Sequence, residues 1–178
     1  MSKIKMSKSN IVLIGFMGSG KSTTGKVLAQ RIHYSFIDSD EFIESKIKMS
    51  ISDYFIQYGE DQFRSLEEDI ISQIALTSNT VIATGGGIVK NPNNILNLKS
   101  NGIIIYLKGS PEHIFERLKY DTTRPLLNTE NKLETIKSLL KQRSPLYESA
   151  SDIIIDIDNK SIDEVVVSIL ERMRGKAI

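Results

Sequence analysis

The chain has 178 residues, 40% hydrophobic and 25% charged, and its 23 lysines and arginines nearly balance 22 aspartates and glutamates for a net charge of +1. That composition is ordinary for one globular domain and gives no global reason to bind nucleic acid or an anionic membrane. There is no cysteine and there are two histidines, which excludes disulfides and Cys/His metal clusters, and no apolar run approaches a membrane span. The expectation is a single domain over 1–178, cytoplasmic and monomeric.

The basic, polar opening from Met1 to Asn10 leads into the apolar, β-branched run Ile11 to Ile14, which predicts a buried strand. The strand breaks into Gly15-x4-Gly20-Lys21-Ser22, a complete phosphate-loop pattern, and a helical stretch with Val27, Leu28 and Ile32 follows. Cleavage of the opening as a signal peptide would destroy that loop, so it is not read as one. Gly15, Gly18 and Gly20 allow positive φ and let backbone N–H groups close around phosphate oxygens. The helix that starts there adds its positive end to the same anion. Lys21 brings a charge for the β- and γ-phosphates, and the Ser22 hydroxyl is suited to Mg²⁺. The chain is therefore expected to bind a nucleotide.

Strands and helices then alternate. Tyr34 to Ile37 predicts a second strand ending in Asp38-Ser39-Asp40. Helices are expected at Glu41 to Lys48 and Ile51 to Leu76, the second broken near Gly59. Thr80 to Thr84 predicts a third strand, running into Gly85-Gly86-Gly87. Asn91-Pro92 opens a helix to Lys99, Ile103 to Leu107 is a buried strand, and Ser110-Pro111 opens a helix through Lys119. Asp121 to Asn131 is polar and aperiodic, long enough for a lid. A helix over Leu133 to Ser149 contains Pro145, Ile153 to Ile157 is the last strand, and Ser161-x-x-Glu164 is a capping box for a helix to Arg174. His33 falls at a helix end and His113 on a helix, both read as structural. Five strands alternating with helices predict an α/β fold, a parallel sheet covered on both faces, with ligands at the carboxyl ends of its strands.

Two further features cluster at those ends. Asp38 and Asp40, if the extended conformation continues, point to the same side and reach the rim of the loop. They fit a pair in which one carboxylate serves Mg²⁺ and the other an acceptor hydroxyl. They equally fit a helix cap followed by a first-turn acid. The triple glycine suits either close approach of backbone to a ligand or a tight turn. Arginine is scarce, 7 residues against 16 lysines. Arg64, Arg117, Arg124 and Arg143 lie in the middle of the chain, where planar two-bond recognition of carboxylate or phosphate is the reason to prefer arginine. Arg124, inside the expected lid, is the strongest candidate.

Together these motifs resemble the shikimate kinase family: the phosphate loop, Phe36-Ile-Asp-Ser-Asp40, Gly59-Glu-x-x-Phe-Arg64-x-x-Glu67, Ala83-Thr-Gly-Gly-Gly87, Arg124-Pro-Leu-Leu127 and Arg143-x-Pro-Leu-Tyr147. The resemblance implies transfer of the ATP γ-phosphoryl group to the 3-hydroxyl of shikimate in aromatic amino-acid biosynthesis. It implies a three-layer α/β/α fold of the nucleoside monophosphate kinase type, with a five-stranded sheet in the order 2-3-1-4-5 and a mobile lid at about 121–131. Its site would use Gly18, Ser19, Gly20, Lys21, Ser22, Thr23, Arg117 and Arg124 for ATP. Asp40, Arg64, Gly86 and Arg143 would bind shikimate, with Asp40 also as base. Ser22 would ligate Mg²⁺ directly and Asp38 through water. After the last strand, Asp158-Asn-Lys-Ser161 lacks the basic residue and proline the family often places near adenine; Lys160 is the candidate there. A gluconate or nucleoside monophosphate kinase on the same fold is the alternative, disfavoured by the twin arginines and the glycine turn. A GTP switch is further away, because Asn159-Lys160-Ser161-Ile162 does not complete the guanine motif.

Overall fold

A computed structural model describes residues 8–175, so residues 1–7 of the basic opening stretch lie outside the described part. Five parallel strands form one sheet: β1 (Asn10–Ile14), β2 (Ser35–Asp38), β3 (Thr80–Ala83), β4 (Gly102–Lys108) and β5 (Ile153–Asp156), in the order β2-β3-β1-β4-β5. The expected order holds. Chain order and sheet order part company between β1 and β4, so the loops after β1 and β4 diverge and leave a crevice at their carboxyl ends.

Residue parity in the central strand sorts the core into two layers. Ile11 and Leu13, with Val81, Ile103 and Ile105, pack against α1 (Lys21–Ile32) and α8 (Ile162–Gly175). Val12 and Ile14, with Ile82, Ile104 and Tyr106, face the other way. There they meet α2 (Ser39–Ile47), α4 (Glu60–Ile74), α5 (Pro92–Asn101), α6 (Pro111–Leu118) and α7 (Lys132–Ala150). A further short helix, α3 (Ile51–Tyr58), precedes α4, and Gly59 separates them at φ 83°. Both faces of β1 are therefore buried, which is why it reads as a continuous apolar run. No helix among the described residues is long and apolar enough to cross a membrane.

The expected caps form. Ser110 and Asn91 cap α6 and α5, each followed by proline, and Ser161 and Glu164 exchange the reciprocal bonds of a capping box. His33 ends α1 in the left-handed region. One boundary differs in a way that matters: the second strand is shifted by one residue and gives way at once to α2, whose first residue is Ser39. The Asp38 side chain accepts from the N–H groups of Asp40 and Glu41, and a helix satisfied this early does not continue as strand.

Residues 121–131 form no regular element apart from a short 3-10 turn at Pro125–Leu127. Leu127 is fully buried and pins this segment to the core, while the stretch before it is exposed. Its entrance is held by Lys132, whose Nζ donates to the Leu118 and Asp121 carbonyls at 2.9 and 2.8 Å. That lysine satisfies carbonyls left over at the end of α6.

Asn10, fully buried at the start of β1, ties two chain segments together. It donates to the Thr77 carbonyl at 2.7 Å and accepts from the Thr80 N–H at 3.1 Å. Asn10→Ala takes away the partner of the buried Thr80 N–H, while the Thr77 carbonyl keeps Asn101 as donor, and is expected to lower stability by about 2 kcal/mol. Urea unfolding checks this, with the activity of the folded fraction unchanged.

Candidate active site

An open cleft of about 670 Å³ lies at the carboxyl ends of β1, β2 and β3. It is lined by Gly18, Gly20, Lys21, Ser22, Thr23, Asp38, Asp40, Arg64, Gly86, Arg117, Arg124 and Arg143, together with neighbours. Of the residues expected at the site, Ser19 and Lys160 fall outside this lining; Ser19 is buried, and its N–H donates to the Phe16 carbonyl at 3.1 Å.

The phosphate loop takes its shape from glycines at positive φ: 151° at Gly15, 77° at Gly18 and 81° at Gly20. Leu118 packs where a Gly18 side chain would be, and the Arg117 guanidinium lies over Gly20 at 3.1 Å from its would-be Cβ. α1 begins at Lys21 with no side-chain cap, so its first N–H groups are available to an anion. Lys21 is 8% exposed and donates to the Gly15 and Phe16 carbonyls at 2.7 and 2.9 Å. Burial pulls its amine down to about 8, against the opposing field of Asp40.

On the other wall, Asp38 caps α2 and also accepts from the Ser22 hydroxyl. The cap and the cleft role are therefore compatible, although the two acids reach the rim from a helix start rather than from a continued strand. Asp40 stands one residue into α2. Burial, reinforced by the neighbouring Asp38 and Glu67 charges, lifts its carboxyl to about 6.

The triple-glycine turn explains its own composition. None of its three residues has positive φ, so conformation does not require glycine there. At the outer two, glycine instead leaves room for the side chains that pack there. A Cβ at Gly85 would stand 2.7 Å from an Asp40 oxygen, and one at Gly87 would stand 2.7 Å from the Arg64 guanidinium. At Gly86 the nearest atoms are the Met17 backbone nitrogen at 3.4 Å and Arg143 at 3.7 Å, ordinary contact distances. Asp40, Arg143 and Arg64 thus stand against three consecutive glycines, within one turn of backbone.

The two arginines are not equivalent. Arg64 donates to Glu67 at 2.8 Å and reaches Glu60 at 3.4 Å, while Arg143 lies 5.8 Å over the Phe16 ring with no carboxylate partner among the described residues. Glu67 is buried, which raises its carboxyl, and Asn94 is its second donor. Sequence reading assigned Glu67 no role, although its position three residues after Arg64 on one helix was the available signal. Arg124 has the extended backbone that Pro125 imposes, φ −105° and ψ 96°, and pairs weakly with Asp121 at 3.5 Å. Lys160 instead donates to the Asp156 carbonyl of its own loop, and it is not part of the cleft lining.

The shikimate kinase family model matches residues 17–174. The chain belongs to the shikimate kinase family. It is 48% identical to the shikimate kinase of Thermodesulfovibrio yellowstonii over 91% of this chain and 93% of that one. It is 44% identical to the shikimate kinase of Caldanaerobacter subterraneus over 94% and 99%. A solved shikimate kinase from Acinetobacter baumannii, in complex with shikimate, superposes with a TM-score of 0.90 at 34% identity, covering 95% of this chain and 94% of that one. As a shikimate kinase, an ATP-dependent enzyme, the chain has the two-sided cleft that a nucleotide and a small acceptor require.

Because Asp40 holds its proton up to about pH 6 in the fold against 3.8 in an open chain, the folded state binds that proton the more tightly. The contribution of Asp40 to stability is therefore fully present below pH 3.8, declines as pH rises to about 6, and is lost above it. Asp40→Asn removes the charge and is expected to stabilise the ligand-free protein at neutral pH by on the order of 2 kcal/mol. Thermal melts of both proteins between pH 4 and 8 check this, the gap closing towards pH 4.

Proposed function

We propose that this cleft transfers the γ-phosphoryl group of ATP to the 3-hydroxyl of shikimate. The observation that carries the reading is the convergence of Asp40, Arg64 and Arg143 on three successive glycines that lie directly beside the phosphate loop. A carboxylate paired with planar cations suits an acceptor that bears both hydroxyls and a carboxylate.

The acceptor oxygen attacks the γ-phosphorus, the bond to the β–γ bridging oxygen breaks, and ADP departs. Asp40, ionised above about pH 6, orients the attacking hydroxyl and takes up its proton as it becomes acidic. Such a transition state needs alignment and charge neutralisation more than a strong base. Lys21, Arg117 and Arg124 supply cationic charge on the nucleotide side, while the N–H groups of Gly18, Gly20, Ser22 and Thr23 cradle the phosphates. Arg143 gives most of the pull on the acceptor carboxylate, because Arg64 is already shared with Glu67.

Mg²⁺ fits the oxygen donors present. The Ser22 hydroxyl and the Asp38 carboxylate touch, and no group of three or more His, Cys, Asp or Glu side chains forms a metal cage among the described residues. That donor set suits an ion held by one carboxylate, water and phosphate oxygens, with Ser22 direct and Asp38 through water. When bound it would neutralise charge on the phosphates. The same reading takes the chain as a single kinase domain, a cytoplasmic monomer, with 121–131 closing as its lid.

A coupled assay tests the reading. ADP release is expected with ATP, Mg²⁺ and shikimate, and not when gluconate or a nucleoside monophosphate replaces shikimate; stimulation by either of those alone refutes it. Arg124→Ala is expected to lower kcat by roughly 10³-fold, as for an arginine that engages the transferring phosphoryl group in cis. Its effect on ATP affinity should be much smaller, because the contact matures only as the lid closes. Steady-state kinetics with ATP varied at saturating shikimate separates the two.

A further inference from the structure

Tyr147 lies on α7 one helical turn beyond Arg143, and no side-chain atom of it is needed to line the cleft. It is fully buried, and its ring stacks on Tyr106 of β4 with centroids 5.1 Å apart and an interplanar angle of 29°. Its hydroxyl donates to the carbonyl oxygen of Gly86, sixty-one residues away in the chain. Burial holds the phenol up at about 12, so it keeps its proton at any working pH.

The consequence follows from the planarity of the peptide unit. The Gly86 carbonyl and the Gly87 N–H belong to one plane and point in opposite directions. A buried donor that holds the carbonyl towards the core turns that N–H the other way, to the side where all three glycines line the cleft. The turn's own hydrogen bonds do not fix this peptide, since they run from Ile88 N–H to the Gly85 carbonyl and from Lys90 N–H to the Gly87 carbonyl. With no Cβ at residues 85–87, the backbone has more freedom here than at other residues, and an external hold matters most at such a place. α7 also carries Arg143, which stands 3.7 Å from the would-be Cβ of Gly86. One helix therefore sets both the acceptor-side cation and the backbone beside it.

We infer that Tyr147 is a positioning residue for the acceptor: its hydroxyl fixes the Gly86–Gly87 peptide, and through it the register between the glycine turn and Arg143. This rests on the cleft binding shikimate as proposed above. ATP is held by the phosphate loop, whose own hydrogen bonds do not involve Tyr147.

The test compares Tyr147→Phe with Tyr106→Phe, two changes that each delete one hydroxyl from the same buried stack. Tyr147→Phe is expected to raise KM for shikimate about tenfold, lower kcat no more than about threefold and leave KM for ATP unchanged, in line with the loss of one hydrogen bond. Tyr106→Phe should match the wild type in all three. Placing 4-aminophenylalanine at position 147 restores a donor and should restore KM for shikimate. If Tyr147→Phe keeps the wild-type KM for shikimate, or raises both KM values together, the inference fails while the shikimate reading stands. A Tyr147→Phe chain that does not fold, beside a folded Tyr106→Phe, makes the hydroxyl structural and also overturns it. A wild type indifferent to shikimate overturns the underlying reading first.

Discussion

Placing an ammonium group out of water, with two backbone carbonyls as its immediate partners, is the constraint from which the site develops. Lys21 is 8% exposed, and burial brings its amine down to about 8. Two carbonyls compensate a buried cation incompletely, so an arriving polyanion is favoured over water. For the carbonyls of Gly15 and Phe16 to face inward at that point, the chain must leave β1 through positive-φ positions, and the helix must start without a side-chain cap. The apolar β1, buried on both faces, gives this exit a rigid base. Nucleotide affinity is thus prepared in the absence of nucleotide.

The opposite wall stores charge of the other sign. Burial, reinforced by the Asp38 and Glu67 charges, raises the energy of ionising Asp40, against the pull of Lys21 and Arg124. Such a cluster opposes folding, yet it keeps a carboxylate with a proton affinity near neutrality beside an open cleft. The distribution of cations answers this division. Arg64 is largely spent on Glu67, which keeps that buried acid from standing alone, whereas Arg143 rests on the face of Phe16 without a carboxylate. A ligand carboxylate would therefore meet one arginine that must share itself and another that is free to pair.

Much of this was legible in the sequence, for identifiable reasons. The phosphate loop was readable because its requirements are local: glycines at fixed offsets, a strand before and a helix after. The sheet order 2-3-1-4-5 came from the family resemblance, and strand–helix alternation alone gave only a parallel sheet. Asp38 and Asp40 were recognised, but the sequence fits a continued strand and a helix cap equally as their route to the rim. The side chain of Asp38 begins α2 immediately, a competition between strand and cap that periodicity does not resolve. Roles that depend on distant partners left weaker traces. The hold of Lys132 on the end of α6 and the bond from Tyr147 to Gly86 join segments that only folding brings together.

The triple glycine shows where the limit lies. Glycine in sequence signals freedom, and a turn is the ordinary inference. Here the freedom is unused at the backbone, since none of the three residues takes a positive φ. What glycine supplies is the missing volume that lets Asp40 and Arg64 approach the chain to distances at which a Cβ would collide. Gly86 differs, because no protein atom lies within 3.4 Å of its would-be Cβ. The protein alone would tolerate alanine at that position. If shikimate packs on the turn as proposed, the middle glycine answers to the ligand and its neighbours answer to the residues that would hold it.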